Sequence, residues 1–526
     1  MSRNTQYFPF AGGVNSDTPS LSIPAGSLIN STNYEASSNG GYRRIDGFER
    51  YDGRTAPSSI NVFDYDTTAL YTAAVETLRG AISLVPGEGN ILGVWRYNNI
   101  TYAFRNKVGG ADAGMYESTV GGWVEVVTGI TLNPGGRYEF INANYGGHAS
   151  TMMMYGVDGA NKGFQFDGTT YTEVSTGMTV DTPAHLHKYK NHLWYSFTGG
   201  SLQYSSLGIP TTWLALTGAA ELGIGDEITG FRDVAGDSFV VVCRNSTHIV
   251  SGTPGAADFN VSIYSDTAGA LEWTIQRLAY PVYLDDNGVL ELRSVQSYGD
   301  FQTATLSQNI SKILAPLISS ATASMISRSK NQYRLYFSNG TGMVFTFSGN
   351  KLAGIMPVNY GKTVKCCCNG VDSNGDEALF FGSDDGYVYQ LDAGYSFDGE
   401  EVNAWIRPSF NHFKSPEHVK RFFKIVLEID ADETSDLAFL PVFDYGDPNQ
   451  PDAFEGILNV SGGGSSWDEE NWEAFYYDGA IISSAYGYLD AVGKNFSLLI
   501  RSELTYEKPH TIQGAIVHFS QRGLKR

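Results

Sequence analysis

The sequence has few positive charges and few places where they gather. Its 35 Lys and Arg residues are outnumbered by 56 Asp and Glu residues, which gives a net charge of −21. The short basic runs that we note lie at residues 42–44 and 522–526. A protein that holds nucleic acid tightly needs a basic surface that neutralises phosphates and releases counterions. The composition therefore disfavours a tight grip on DNA, but it allows DNA to slide past an acidic wall.

Cysteine and long apolar runs are also scarce. Three of the four cysteines, Cys366, Cys367 and Cys368, are adjacent. Neighbours on a strand point to opposite faces, so this triplet forms neither a disulfide framework nor a metal-binding CxxC pair. We interpret the cysteines as small apolar strand residues of a protein made in a reducing cytoplasm. No run reaches the roughly 18 apolar residues of a membrane span, and residues 1–10 lack the apolar core of a signal peptide, so we expect a soluble chain without a membrane span.

The sequence patterns of common enzymes are missing. The chain has no GxSxG motif, no HExxH motif and no phosphate-binding P-loop. We therefore expect neither a catalytic residue nor a cofactor or metal site, and we predict that the protein is not an enzyme.

What the sequence does contain is glycine and aromatic residues. It has 60 Gly, and aromatic residues make up 13% of its 526 positions. This composition favours short strands joined by tight turns and predicts an all-β protein. The length exceeds what one hydrophobic core usually supports, so we expect more than one domain.

Residues 56–399 repeat a pattern of two short aromatic strands separated by Asn, Asp or Gly. Examples lie at residues 94–104, 163–171, 191–196, 331–338 and 378–391. Alternation with period two and turn residues between the runs are typical of β-hairpins. Their recurrence predicts a β-propeller, whose blades are four-stranded sheets. Residues 306–325 are apolar and poor in strand signals, which predicts a helix inside this domain.

The two ends of the chain differ from this middle part. Residues 1–55 are interrupted by Gly and Pro, and we expect an extended N-terminal arm that lies on another sheet or subunit. After residue 399 the strands become longer, as at residues 422–429 and 496–500, and they flank an acidic stretch at 430–478. We expect residues 400–526 to form a separate β-sandwich-like domain.

Three groups of residues were weighed as sites. His185, His187 and His192 lack a recognisable third and fourth partner for a metal, so we interpret them as polar strand residues. Residues 372–377 (DSNGDE) resemble a calcium loop, but they lack its central Gly and final Glu and favour a hairpin turn. The segment at residues 467–472 (WDEENW) has carboxylates between tryptophans, as sugar-cleaving enzymes do. Adjacent acids in one loop do not form a pair on the two sides of a scissile bond, so the pattern favours a solvated loop.

Several segments together resemble a known family. Residues 12–19 (GGVNSDTP), 33–34 (NY) and 40–48 (GGYRRIDGF) are similar to the start of tail nozzle and tail hub proteins of short-tailed bacteriophages, of the tail tubular protein B type. Residues 190–196 (KNHLWYS), with Tyr204, Ser205, Thr212 and Trp213, resemble a blade element of that group. Residues 297–301 and 381–392 are also similar. The resemblance extends from residue 8 to about 430 and does not include the acidic C-terminal stretch.

The resemblance implies a structural subunit of the nozzle ring at the end of a phage tail, which retains the genome and then releases it. Six copies would form the ring, joined to the portal or adaptor ring and to tail fibres or spikes, and double-stranded DNA would pass without sequence-specific contacts. The protein would be assembled in the host cytoplasm and reside in the virion tail. On this view the arm carries the residues that dock partners, namely Phe10, Pro19, Tyr34, Tyr42, Arg43 and Arg44.

A second class of function remains open at this point. A receptor-binding or glycan-degrading propeller of a phage tail would also be an all-β protein. It would need carboxylates and aromatic rings on one face, and Asp468, Glu469 and Glu470 between Trp467 and Trp472 are the concentrated candidates.

Overall fold

The computed structural model describes residues 4–19, 22–60, 65, 67–146, 148, 151–234, 236–253, 259–295, 300–431, 435–445, 456–460, 483–502 and 508–524. These residues form an all-β protein with a β-propeller core, extended N-terminal strands and a second β-rich domain at the C-terminus. The fold class predicted from glycine and aromatic content is therefore confirmed.

The N-terminal segment contains five short strands and is followed by a helix. A 3₁₀ turn at Pro57–Ser59 precedes the helix, which begins after the N-cap Thr67, whose side chain accepts a hydrogen bond from the Leu70 backbone N–H. The elements are β1 (Asn4–Pro9), β2 (Leu28–Thr32), β3 (Tyr34–Ala36), β4 (Tyr42–Arg44), β5 (Phe48–Tyr51) and α1 (Thr68–Ala81).

The propeller is built from antiparallel four-stranded sheets, of which the described residues form seven. In the first six blades the four strands follow one another along the chain. Blades 1 to 3 contain β6 (Glu88–Tyr97), β7 (Ile100–Asn106), β8 (Ala113–Thr119) and β9 (Gly122–Val126); β10 (Glu139–Ala143), β11 (Met153–Val157), β12 (Gly163–Phe166) and β13 (Tyr171–Val174); and β14 (His185–Tyr189), β15 (His192–Phe197), β16 (Ser201–Tyr204) and β17 (Ala220–Gly223).

Blades 4 to 6 have the same order. They contain β18 (Ile228–Val234), β19 (Ser238–Cys243), β20 (Thr247–Gly252) and β21 (Phe259–Ser265); β22 (Gln276–Arg277), β23 (Pro281–Asp285), β24 (Gly288–Val295) and β25 (Asp300–Thr305); and β26 (Ala321–Ser327), β27 (Gln332–Phe337), β28 (Thr341–Ser348) and β29 (Lys351–Asn359). The helix expected within residues 306–325 is present as the single turn α2 (Ser311–Leu314), between 3₁₀ turns at Gln308–Ile310 and Ala315–Ser320.

The seventh blade joins the two ends of the propeller. Its inner strands are β30 (Val364–Val371), β31 (Glu377–Ser383) and β32 (Val388–Leu391), and its outermost strand is β5 from the N-terminal segment. Leu391 pairs with Phe48, and Val388 pairs with Tyr51. The innermost strands contact one another in a closed cycle, since β30 also touches β6 of blade 1. The ring is thus closed by a strand that lies more than 300 residues away from its partner.

Local turn chemistry explains why the blades fold as hairpins. Asn98 and Asn99 connect β6 to β7 with φ angles of 49° and 62°, and Lys190 and Asn191 connect β14 to β15 with φ angles of 50° and 63°. Two consecutive residues with positive φ make the hairpin turn whose twist matches the flanking strands, and Asn tolerates this conformation.

A β-sandwich follows the propeller. It contains β33 (Ala404–Pro408), β34 (His418–Asp430), β35 (Ser435–Phe443), β36 (Gly456–Val460), β37 (Ser483–Gly493), β38 (Phe496–Ser502) and β39 (Thr511–Leu524). One sheet has the order β3-β4-β39-β34-β37, with β1 also paired to β39, and the other has the order β2-β33-β38-β35-β36. Alternate residues of β34, such as Ile425 and Leu427, are buried in one core with Leu498 and Ile500 of the facing sheet.

The N-terminal arm is therefore extended as expected, and its described strands pair within the same chain. β1 to β4 belong to the sandwich and β5 to the propeller. Gly13 shows how closely the arm approaches blade 6: its φ is +68°, and a Cβ there would lie 2.4 Å from the Ile355 backbone nitrogen. The arm thus fastens the propeller to the sandwich, and one continuous hydrophobic core includes residues of both.

Candidate functional site

The aromatic residues expected to dock partners lie inside this chain. Phe10, Tyr34 and Tyr42 are each at most 1% exposed. The rings of Phe10 and Tyr42 stack with centroids 5.8 Å apart, and the Tyr42 hydroxyl donates to the Gly26 carbonyl at 2.8 Å. The Tyr34 hydroxyl lies 2.8 Å from His510 Nε2. These side chains hold the arm against the sandwich and offer no exposed patch to a partner.

The other three expected docking residues have different surroundings. Arg44 is fully buried, and its guanidinium donates to the Val402 carbonyl at 3.5 Å. Arg43 is partly exposed and forms ion pairs with Glu35 and Asp46 at 2.9 and 2.8 Å. Pro19 is exposed. The structure thus does not bring the six residues together on one surface.

Arg43 belongs to a network of three cations and three carboxylates between the arm and blades 6 and 7, which we call the arm network. Its members are Glu35, Arg43, Asp46, Lys330, Arg334 and Asp392. Lys330 Nζ lies 3.1 Å from Glu35, 2.7 Å from Asp46 and 3.4 Å from Asp392. Burial alone would raise the pKa of Asp46, but the Lys330 charge and the hydrogen bond from Arg43 hold it below its usual range. The charges are balanced, so we interpret the network as a structural joint.

The three histidines singled out in the sequence have separate partners. His187 Nε2 lies 3.0 Å from Asp233, and His192 Nδ1 donates to the Ser205 carbonyl at 2.6 Å. His185 contacts Glu139. Within the described residues, no group of three or more His, Cys, Asp or Glu side chains is placed to hold a metal ion.

The remaining sequence candidates are structural or fall outside the described residues. Asp372 accepts backbone hydrogen bonds from Asn374 and Asp376, so the DSNGDE segment makes the turn between β30 and β31. The three cysteines lie on β30, where burial raises the pKa of Cys366 and Cys367 to about 12 and keeps these thiols protonated. The loop at residues 467–472 lies outside the described residues.

The most distinctive site of the described chain is the central cavity of the propeller. It has a volume of about 360 Å³ and lies among residues on or beside all seven innermost strands, β6, β10, β14, β18, β22, β26 and β30. Its size lies at the lower end of the range for small-molecule pockets, roughly 300 to 1,000 Å³. Two histidines, His185 and His187, line it, and its charged lining residues are Arg137, Glu139, Arg232, Asp233, Arg277 and Arg328.

His185 is the buried centre of this cavity's polar wall. Its Nδ1 lies 2.8 Å from Glu139 Oε2, while its Nε2 is 3.9 Å from Glu272 and has no hydrogen-bond partner among the described residues. Burial alone would lower the pKa of His185, but the contacts with Glu139 and Glu272 raise it to about 9. The imidazole is therefore protonated at neutral pH and carries a positive charge into the propeller centre.

Glu139 also contacts Arg232. Arg232 Nη1 donates to Glu139 Oε1 at 3.3 Å, and Nη2 donates to Gln276 at the same distance. Burial would raise the pKa of Glu139, but the hydrogen bond and charge of His185 and the charge of Arg232 hold it below its usual range. One carboxylate thus holds two cations of the cavity wall in fixed positions.

Trp273 packs beneath these charges in a strained backbone conformation. Its φ is 65°, which is unusual for a bulky residue. The Arg137 guanidinium lies 4.3 Å from the centre of the Trp273 ring, and the His185 ring lies 5.0 Å from it. Strain of this kind persists only where the surroundings impose it, and it is concentrated at functional positions.

The sequence reasoning missed this site. The charged residues of the lining come from four separate stretches of the chain and belong to no motif, namely Arg137 and Glu139, Arg232, Arg277, and Arg328. What they share is their position: each residue lies on an innermost strand or within two residues of one of its ends. An alignment of the blade sequences with one another would be needed to predict that these charged residues surround one cavity.

No protein-family model matches the sequence, and no curated protein matches it. Among solved structures, the chain is similar to virginiamycin B lyase from Staphylococcus aureus (9% identity, 59% of this chain and 97% of that chain, TM-score 0.39). It is also similar to YCF48 bound to D1 peptide (8% identity, 59% and 95%, TM-score 0.38) and to U3-55K (10% identity, 59% and 98%, TM-score 0.39).

Proposed function

We propose that this chain is a structural subunit of the nozzle ring at the end of a short bacteriophage tail, which retains the genome and releases it on ejection. The observation that best supports this proposal is the position of residues 40–48, one of the segments that resemble tail nozzle proteins. That motif contributes β4 to the sandwich, Arg43 and Asp46 to the arm network, and Phe48 to the strand that closes the propeller. A segment that resembles the family thus joins the two domains.

In this proposal, DNA passes between copies of the chain. A sphere of the propeller cavity's volume would be about 9 Å across, less than the roughly 12 Å width of the DNA major groove alone. Six copies in a ring would enclose a separate and wider channel. The portal or adaptor ring would bind at one end of that ring, and tail fibres or spikes would attach to it.

The net charge agrees with this role. A basic channel would hold DNA through counterion release, whereas a wall rich in carboxylates leaves it mobile. The chain carries a net charge of −21, so six copies would form a strongly acidic ring. At physiological salt the Debye length of roughly 8 Å confines the repulsion to a thin layer along the wall.

The proposal is tested by the mass and shape of the purified full-length chain. Light scattering coupled to size exclusion, followed by negative-stain electron microscopy, is expected to show six-membered rings at high protein concentration. The same preparation is expected to leave phage-receptor polysaccharides intact. A monomer that cleaves polysaccharide, with the cleavage lost on combining Asp468→Asn, Glu469→Gln and Glu470→Gln, would instead support a glycan-degrading tail protein.

A further inference from the structure

The central cavity of the propeller gathers positive charge in a chain that is otherwise acidic. Arg137, Arg232, Arg277 and Arg328 line it, and His185 adds a fifth cation. The nearby carboxylates of the described residues are those of Glu139, Asp233 and Glu272, together with Glu377, which accepts hydrogen bonds from the backbone of Arg328 and the side chain of Asn369. The cavity therefore has an excess of positive charge, although the whole sequence has an excess of negative charge.

Several of these cations have hydrogen-bonding capacity to spare. Within the described residues the Arg328 guanidinium makes no hydrogen bond or ion pair, and the nearest carboxylate oxygen to Arg277, on Asp233, is 3.6 Å away. His185 is 1% exposed, and its Nε2 makes no hydrogen bond within the described residues, since the nearest carboxylate that pairs with it, Glu272, is 3.9 Å away. A buried donor without a partner is costly, so the His185 Nε2 is normally satisfied by a ligand or by water. The side chains of Arg277 and Arg328 are exposed at the cavity, where an anion can replace the water bound to their guanidinium groups.

The chemistry of these donors identifies the ligand class. Guanidinium groups match the planar geometry of two oxygens on a carboxylate or phosphate, and such charge-assisted hydrogen bonds are stronger than neutral ones. The cavity volume admits a compact molecule and no polymer. We propose that the central cavity binds a small oxyanion, a ligand bearing a carboxylate or phosphate group, through the cations of its lining, with Arg277 and Arg328 as the principal donors.

This inference does not depend on the nozzle proposal, since it concerns the cavity within one chain. The two can fail separately, because ring formation is measured by mass and oxyanion binding by titration. A bound oxyanion would neutralise part of the excess charge and connect innermost strands of neighbouring blades. We therefore expect binding to raise the thermal unfolding temperature of the propeller as well.

The test is isothermal titration calorimetry of the full-length chain with two probes, inorganic phosphate and malonate, at constant ionic strength with chloride as the background anion. The comparison of the probes distinguishes a phosphate ligand from a carboxylate ligand. We expect saturable binding of at least one probe. Arg277→Gln and Arg328→Gln should each weaken it about tenfold, as the loss of one charge-assisted hydrogen bond predicts.

A matched control separates this effect from general loss of positive charge. Arg244 has a side-chain exposure of 38%, close to the 40% of Arg277, and it pairs with Asp286 away from the cavity. Arg244→Gln should leave the affinity unchanged. Absence of saturable binding of both probes by the wild-type chain would overturn the inference. So would equal affinities of the wild type and the Arg277→Gln/Arg328→Gln double variant, provided that thermal unfolding shows both to be folded.

Discussion

Arg334 donates hydrogen bonds to both carboxylate oxygens of Asp392, from Nη1 at 3.1 Å and from Nη2 at 2.7 Å. Arg334 lies on β27 of blade 6, and Asp392 follows β32 of blade 7. The pair therefore connects two blades, and Lys330 extends the connection to the arm through Glu35 and Asp46. Arg334 is almost completely buried, so the Asp392 carboxylate is needed to neutralise its positive charge.

We predict that Asp392→Asn lowers the free energy of unfolding by about 3 kcal/mol, because it leaves the buried Arg334 without its counter-ion. Asn keeps the shape of Asp and tolerates the φ of 54° at this position, so the change reports the charge. The control is Asp490→Asn, which removes an exposed pair with Arg421 and should cost less than about 1 kcal/mol. Urea unfolding followed by fluorescence measures both; equal shifts would contradict the interpretation.

The closure of the propeller leads to a second prediction. Phe48 on β5 is 1% exposed and packs against Phe397 and Tyr389 with ring centroids 4.9 and 5.3 Å away. Phe48→Ala should cost about 3 to 5 kcal/mol and speed hydrogen exchange of the β32 amides, because the closing strand loses its anchor. Tyr488→Ala, at a position 78% exposed, is the control and should change neither quantity appreciably. Unchanged exchange in β32 after Phe48→Ala would show that β5 does not hold the ring closed.

A third prediction concerns acid. His510 is buried beside Tyr34 and near Arg44 and Arg43; burial and these charges lower its pKa to about 3. In the unfolded chain the pKa of a histidine is about 6.5, so the unfolded state binds a proton more readily than the folded state does. The free energy of unfolding therefore decreases as the pH falls from about 6.5 to about 3. At pH 5 this costs about 2 kcal/mol relative to neutral pH. His510→Gln should reduce the loss of stability between pH 7 and pH 5, whereas His518→Gln should not.

A fourth prediction has the opposite sign. His185 has a pKa raised to about 9 in the folded chain, so its stabilising contribution is complete below pH 6.5 and is lost as pH rises through 9. The difference between the folded and unfolded pKa of His185 corresponds to about 3 kcal/mol in the free energy of unfolding. Unfolding experiments between pH 6.5 and 9.5 should show this decline in the wild type and a flatter profile in His185→Gln. A profile of equal slope in both proteins would mean that Glu139 and Glu272 do not hold a charged imidazole.

The sequence predicted the parts of this fold that depend on neighbours in the chain. The hairpin at residues 94–104 follows from Asn98 and Asn99 between two aromatic runs, and the same reasoning applies to the hairpins predicted in blades 2, 3, 6 and 7. The pairing of Phe48 with Leu391, and of β1 with β39, could not be foreseen, because nothing local specifies a partner more than 300 residues away. Helix α1 was not predicted, although Thr67 is a recognisable N-cap, because the pattern of residues 56–399 predicts hairpins throughout.

The candidate site was less predictable than the fold. His185 was noticed as part of a possible metal cluster with His187 and His192, but the structure gives the three histidines separate partners. The arginines of the cavity come from different blades and meet only because the innermost strands surround one axis. The resemblance to nozzle proteins led us to expect partner docking by the arm residues Tyr34 and Tyr42, yet the sandwich of the same chain buries them.

The proposed place of the chain in a phage tail is tested by locating it in a virus particle. Antibody raised against the purified protein, visualised with gold in electron micrographs of phage particles released by cells that carry this gene, should label the distal end of a short tail. We expect quantitative mass spectrometry to find six copies per particle. Label on fibres or spikes alone, or absence of the chain from purified particles, would contradict it.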